Sequence, residues 1–152
     1  MKRLTLLLLL AATPLFAGTP VQETAREFSA AGDFNGDGFP DELELDKTSG
    51  VYRIGYSSAT GTLTFAEGRP SGLGTVTGCA VGKLNGTAGD SFAATTPTAN
   101  RAHILSPQTT GYTEPREVQA AGVGAKLLAA FDLPNGPSPT AEDDLEIGRA
   151  HV

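Results

Sequence analysis

The dipeptide Asn-Gly occurs three times in this chain, at Asn35-Gly36, Asn85-Gly86 and Asn135-Gly136, each fifty residues after the last. A fixed interval of that size marks an array of like units, each burying its apolar faces against its neighbours. The surroundings agree. Ala30-Ala31-Gly32-Asp33-Phe34-Asn35-Gly36 matches Ala80-Val81-Gly82-Lys83-Leu84-Asn85-Gly86, and Ala129 to Gly136 follows the same outline with one residue more. Further on, Arg101-Ala102-His103-Ile104 returns as Arg149-Ala150-His151-Val152. These matches predict units at 29–78, 79–128 and 129–152, after an N-terminal linker or first-strand lead-in at 18–28. The third unit stops at His151-Val152 after its second strand, so the chain is expected to be a piece of a longer array.

Within a unit the pattern is β. Glu42-Leu43-Glu44-Leu45-Asp46 alternates polar and apolar residues, as a half-buried strand does. Val51 to Tyr56 and Thr62 to Phe65 read as two further strands separated by turn residues. The second unit repeats the series at Ser91–Thr95, Arg101–Ser106 and Gly111–Val118. With 19 Gly and 10 Pro in 152 residues, turns are expected to be frequent and helices short. The expected fold is all-β, built from tandem four-stranded antiparallel units.

Before the first unit lies a segment of a different kind. Lys2 and Arg3 form a positive start, Leu4 to Ala12 an apolar run, and Leu15-Phe16-Ala17 ends on the small residue that signal peptidase requires. The run is too short to cross a hydrocarbon layer of roughly 30 Å. Residues 1–17 are therefore read as a signal peptide, and the mature chain is expected to begin at Gly18 and to be secreted, cell-surface or periplasmic. Without Lys2 and Arg3, nine bases face seventeen acids, a net charge of −8. That excess excludes a basic nucleic-acid binder, and nothing in the mature chain is apolar for long enough to span a membrane. Large aliphatics and Phe make up roughly 19% of it, near the limit below which chains stay disordered. Cys79 is the single cysteine, so no intramolecular disulfide can help, and its apolar neighbours predict a buried, inert thiol.

The most specific chemistry lies in Asp33-Phe34-Asn35-Gly36-Asp37-Gly38-Phe39-Pro40-Asp41. Oxygen side chains at positions 1, 3, 5 and 9, with glycine at 6, are what a hard cation requires. Asp33, Asp37 and Asp41 bring three carboxylates that repel one another without a cation, Asn35 adds a neutral oxygen, and the Phe39 carbonyl is free to face the ion. The set offers neither sulfur nor imidazole for zinc and suits Ca2+. Glu44 at position 12 also satisfies the EF-hand spacing. The strand pattern of residues 41–65 conflicts with the flanking helices an EF-hand needs, and Pro40 lacks the backbone N–H that such a loop uses at position 8.

This loop resembles the calcium loop of FG-GAP or VCBS repeats, the units of integrin-like β-propellers, which read Asp-x-Asn-x-Asp-Gly-x-Pro-Asp-Leu. Here Asp41 is followed by Glu42 and then Leu43. The resemblance spans residues 29–152 as repeats, with the motif intact only in the first. It implies that Asp33, Asn35, Asp37 and Asp41 are side-chain ligands, that Phe39 is a carbonyl ligand, and that the loop joins the first two strands of a four-stranded blade. On that implication the chain is a partial β-propeller. Lys83 and Thr87 replace two ligands in the second copy, where the ammonium is expected to neutralise Asp90 without an ion. In the third, Pro134 and Pro137-Ser138-Pro139 disturb the spacing of Asp132, Asn135, Asp143 and Asp144, and a solvated acidic turn is expected.

Signs of catalysis are lacking. There is no Gly-x-Ser-x-Gly elbow, no His-Glu-x-x-His helix and no phosphate-cradling loop. His103 and His151 take matching strand positions and read as structural. Asn85-Gly86-Thr87 is a formal glycosylation sequon, read here as a turn. The leading expectation is a non-enzymatic, calcium-binding adhesion or recognition module for an extracellular protein or carbohydrate. The alternatives are the propeller part of a larger secreted enzyme and an EF-hand or dockerin-like docking module.

Overall fold

A computed structural model describes residues 20–84 and 88–107, together with three later strands at 116–119, 127–131 and 144–148. The leader at 1–17, the sequon at 85–87, most of the third acidic loop and His151 lie outside the described residues.

Alternation and turn chemistry shape the first sheet. Its strands are β1 (Val21–Glu23), β2 (Glu27–Gly32), β3 (Asp41–Asp46), β4 (Val51–Ser57), β5 (Leu63–Phe65) and β6 (Arg69–Pro70). The order is β1-β2-β3-β4-β5, all antiparallel, with β6 sharing the β4 edge through Val51↔Pro70 and Tyr52↔Arg69. In β3 the buried positions are Asp41, Leu43 and Leu45, and the residues between them are half-buried. The predicted alternation therefore holds, with one carboxylate on the inner face.

Part of the lead-in is itself a strand, β1. β1 pairs with β2 through Val21↔Ala30, Gln22↔Ser29 and Glu23↔Phe28, so the sheet gains a strand beside the expected four. Three residues without alternation leave no periodic signal. The strand is held instead by Val21 packing on the core and by an ion pair from Lys47 to Glu23.

The second sheet contains β7 (Gly78–Gly82), β8 (Ser91–Thr95), β9 (Arg101–Leu105) and β10 (Arg116–Gln119), in the order β10-β9-β8-β7. Of the strand predicted at Gly111–Val118, residues 116–118 lie in β10, and 111–115 lie outside the described residues. β3 and β8 begin fifty residues apart, and so do β4 and β9. Every residue of β7 and β8 is buried, and their Gly, Ala, Ser, Cys and Thr content lets both faces be covered closely. One face joins Phe28, Leu43, Leu45, Tyr52 and Ile54 of the first sheet to Val81, Phe92 and Leu105, with the Tyr52 and Phe92 rings edge to face at 5.1 Å. The other face gathers Ala80, Leu84, Ala93, Ala102 and Ile104. A final antiparallel pair, β11 (Leu127–Phe131) and β12 (Asp144–Gly148), follows. β2 lies beside β7, and β7 beside β11. The described sheets do not close into a ring, and they contain no helix.

Candidate metal centre

The acidic loop leaves β2 at Gly32 and enters β3 at Asp41, so two paired antiparallel strands fix its ends, Gly32 facing Asp41 in register. It is anchored below by Phe34, which is 2% exposed and part of the core shared by the two sheets. Strands on both sides leave no place for the helices of an EF-hand.

Asp33 organises the loop. Its Oδ1 accepts the amides of Gly36 at 2.8 Å and Asp37 at 3.0 Å, and its Oδ2 that of Gly38 at 2.9 Å. Asn35 Oδ1 accepts the Asp37 amide at 2.9 Å, while Asn35 Nδ2 donates to Asp37 Oδ2 at 2.8 Å. Asp37 Oδ1 in turn accepts the Phe39 amide at 2.9 Å. Gly38 has φ +85°, where a Cβ would press on the following carbonyl, and the open space beside it shows that backbone conformation, not crowding, demands glycine.

Asp41 differs from the others. It is 1% exposed, and its oxygens accept the Phe34 amide at 3.0 Å and the Ser57 amide at 2.8 Å, so one carboxylate ties the loop to the end of β4. Burial pushes its carboxyl above the ordinary value, and neighbouring Asp37 adds to the rise. The Ser57 and Phe34 amides pull the other way. Asp33 is half-buried, whereas Asn35, Asp37 and Phe39 are exposed.

The four predicted side-chain ligands and the Phe39 backbone thus share one loop, with side-chain oxygens turned onto amides of the loop and, for Asp41, also onto that of Ser57. Among the described residues no three His, Cys, Asp or Glu side chains are gathered as a ligand group. The donor chemistry nevertheless fits a hard cation. A carboxylate offers about four lone-pair sites; Asp33 commits three and Asp41 two to the amide bonds named above.

In the loop that follows β7, Lys83 Nζ lies 3.9 Å from Asp90 Oδ1 and donates to the Ala88 carbonyl at 3.0 Å, as its charge led one to expect. Asp90 has a further role that no local pattern signals. Its Oδ2 accepts the Asp33 amide at 2.8 Å, and its own amide donates to the Asp33 carbonyl at 2.7 Å. His103 is half-buried on β9. Cys79 is buried, and the loss of solvent raises its thiol to about 12, which makes it inert at neutral pH. Compared with known proteins, the chain matches no family model, no curated protein and no solved structure.

Proposed function

We propose that this chain is an exported, calcium-binding β-repeat module of the FG-GAP/VCBS kind, with a non-enzymatic role in adhesion or extracellular recognition. The observation that carries the reading is the loop at 33–41: three carboxylates and an amide oxygen within nine residues, on a hairpin whose ends are fixed by strand pairing. In it Asp33, Asn35, Asp37 and Asp41 would hold Ca2+ by side-chain oxygen and Phe39 by its carbonyl. The bound ion supplies positive charge that offsets the mutual repulsion of the acids and fixes the turn. Asn35 and Asp37, both exposed, are free to turn from each other toward a cation, whereas Asp41 is held by its two amides.

The propeller reading is supported by strand starts fifty residues apart and by the adjacency of β2, β7 and β11, the first strands of the three units. Units at 29–78, 79–128 and 129–152 would then be blades, the second with a cation-free loop. Recognition of an extracellular protein or carbohydrate is the role that the resemblance to such repeats implies. A propeller portion of a larger secreted enzyme is the second reading, favoured by the same open array of sheets.

Thermal unfolding in calcium and in EGTA tests the metal assignment. A ligand that binds only the folded loop adds about 2.7 kcal/mol at a hundredfold excess over its Kd. The midpoint should rise in calcium and fall in EGTA, and coincident transitions would refute the assignment.

A further inference from the structure

Asp33 opens the acidic loop, yet its backbone is held from the neighbouring sheet, by a residue 57 positions later. The two hydrogen bonds between Asp33 and Asp90 run in opposite directions, so they fix both the position of this peptide and its orientation. Gly89 lets the strands of chain come this close. A Cβ there would stand 2.5 Å from the Phe34 carbonyl oxygen and 3.1 Å from that of Asp33, backbone atoms that cannot swing aside. On the far side, Lys83 draws on the other Asp90 oxygen and on the Ala88 carbonyl. The direction in which Asp33 leaves β2 decides where its carboxylate stands, and that carboxylate collects the Gly36, Asp37 and Gly38 amides.

We propose that the segment ending in Gly89-Asp90 is a clasp that pre-places Asp33, with Asp90 as a positioning residue for the loop at 33–41. Cation affinity of that loop is then set in part by the next unit along the chain. Only this affinity rests on the calcium reading; the clasp acts with or without the ion. A preorganised ligand spares the ordering that an untethered loop must undergo on binding.

The test uses the full chain and three variants, Asp90→Ala, Asp90→Asn and Gly89→Ala, with amide hydrogen exchange in EGTA and a separate calcium titration. Asp90→Ala should speed exchange at Asp33, Gly36, Asp37 and Gly38 by about tenfold or more, because it removes a charge-assisted acceptor. The paired amides of β8 and β9 should be unaffected, which reports an intact sheet. Asp90→Asn keeps a carbonyl acceptor and should retain most of the protection. Gly89→Ala forces the segments apart and should reproduce the Asp90→Ala pattern; it decides the matter if Asp90→Ala fails to fold. Calcium affinity should fall about tenfold in Asp90→Ala. Unchanged exchange at the four loop amides, or unchanged affinity in a chain that binds calcium, would overturn the clasp. Should the parent chain bind no calcium while exchange changes as expected, the calcium reading falls and the clasp stands.

Discussion

The loops at 33–41 and 83–90 both follow a strand bordering the next sheet, and both set an apolar residue before Asn-Gly. They differ in charge. The first collects three carboxylates and turns their oxygens onto its own amides and that of Ser57; the second places an ammonium at the first ligand position and brings it to 3.9 Å from Asp90. On the proposed calcium reading, a similar scaffold accepts two ways of balancing acid groups: a cation from solution, or one built into the chain. The built-in one cannot be removed by a chelator. On that reading, Lys83 is what separates a calcium-dependent turn from an independent one, and Asp90, facing the ammonium with one oxygen, grips its neighbour with the other.

Truncating the anchors strikes hardest at what the loops share. Phe34→Ala should cost about 3–5 kcal/mol and Leu84→Ala about 2–5 kcal/mol in chemical denaturation, the range for emptying a buried site. Phe34 is 2% and Leu84 6% exposed, in two different clusters. A loss below about 1 kcal/mol at either would show that its loop is not anchored in the core.

Next comes the buried carboxylate, which the second loop lacks. Asp41→Asn keeps the shape but turns an NH2 group toward either the Phe34 or the Ser57 amide, a clash of donors expected to cost about 1–3 kcal/mol. The pH profile sharpens this. Because the Asp41 carboxyl is raised above 3.8, the folded state holds its proton more tightly than the unfolded chain does. Its favourable contribution is complete below pH 3.8 and is lost as pH rises through the folded value. In EGTA the parent chain should therefore lose stability relative to Asp41→Asn across that acid window, and a pH-independent difference would contradict the assignment. Occupation by calcium should suppress the loss, since the ion stabilises the ionised form.

Lys83→Met should matter least in energy. The lysine side chain is 43% exposed and its pair with Asp90 is long, so a loss under about 1 kcal/mol is expected. Its diagnostic value is greater than its size: Lys83→Met should leave a residual response to EGTA no smaller than the parent's. A variant indifferent to EGTA would break the contrast between the loops.

How much of this was legible beforehand depends on range. β3, β4, β8 and β9 were visible because their residues alternate or cluster between turn residues, and the fifty-residue interval located them. The bounds of β1 and the existence of β6 were not, since three and two residues carry no period and are held by pairing with a strand already formed. The acidic loop was legible because its residues are adjacent in sequence. Its splitting into exposed Asn35 and Asp37 and buried Asp41 was not, because that follows from Asp41 entering β3 on the inner face. Asp90 was legible only as the partner of Lys83; its grip on Asp33, and the need for Gly89, left no signal, because a contact across 57 residues arises from the packing of β2 on β7.

The most direct test is isothermal titration calorimetry of the full chain and of Asp37→Ala with calcium. Asp37 is exposed, its variant should fold, and its loss removes both a charge and an oxygen from the loop. The parent should bind about one equivalent through this loop, and Asp37→Ala should bind at least about tenfold more weakly. Equal calcium binding by the two proteins, or none by the parent, would contradict the account.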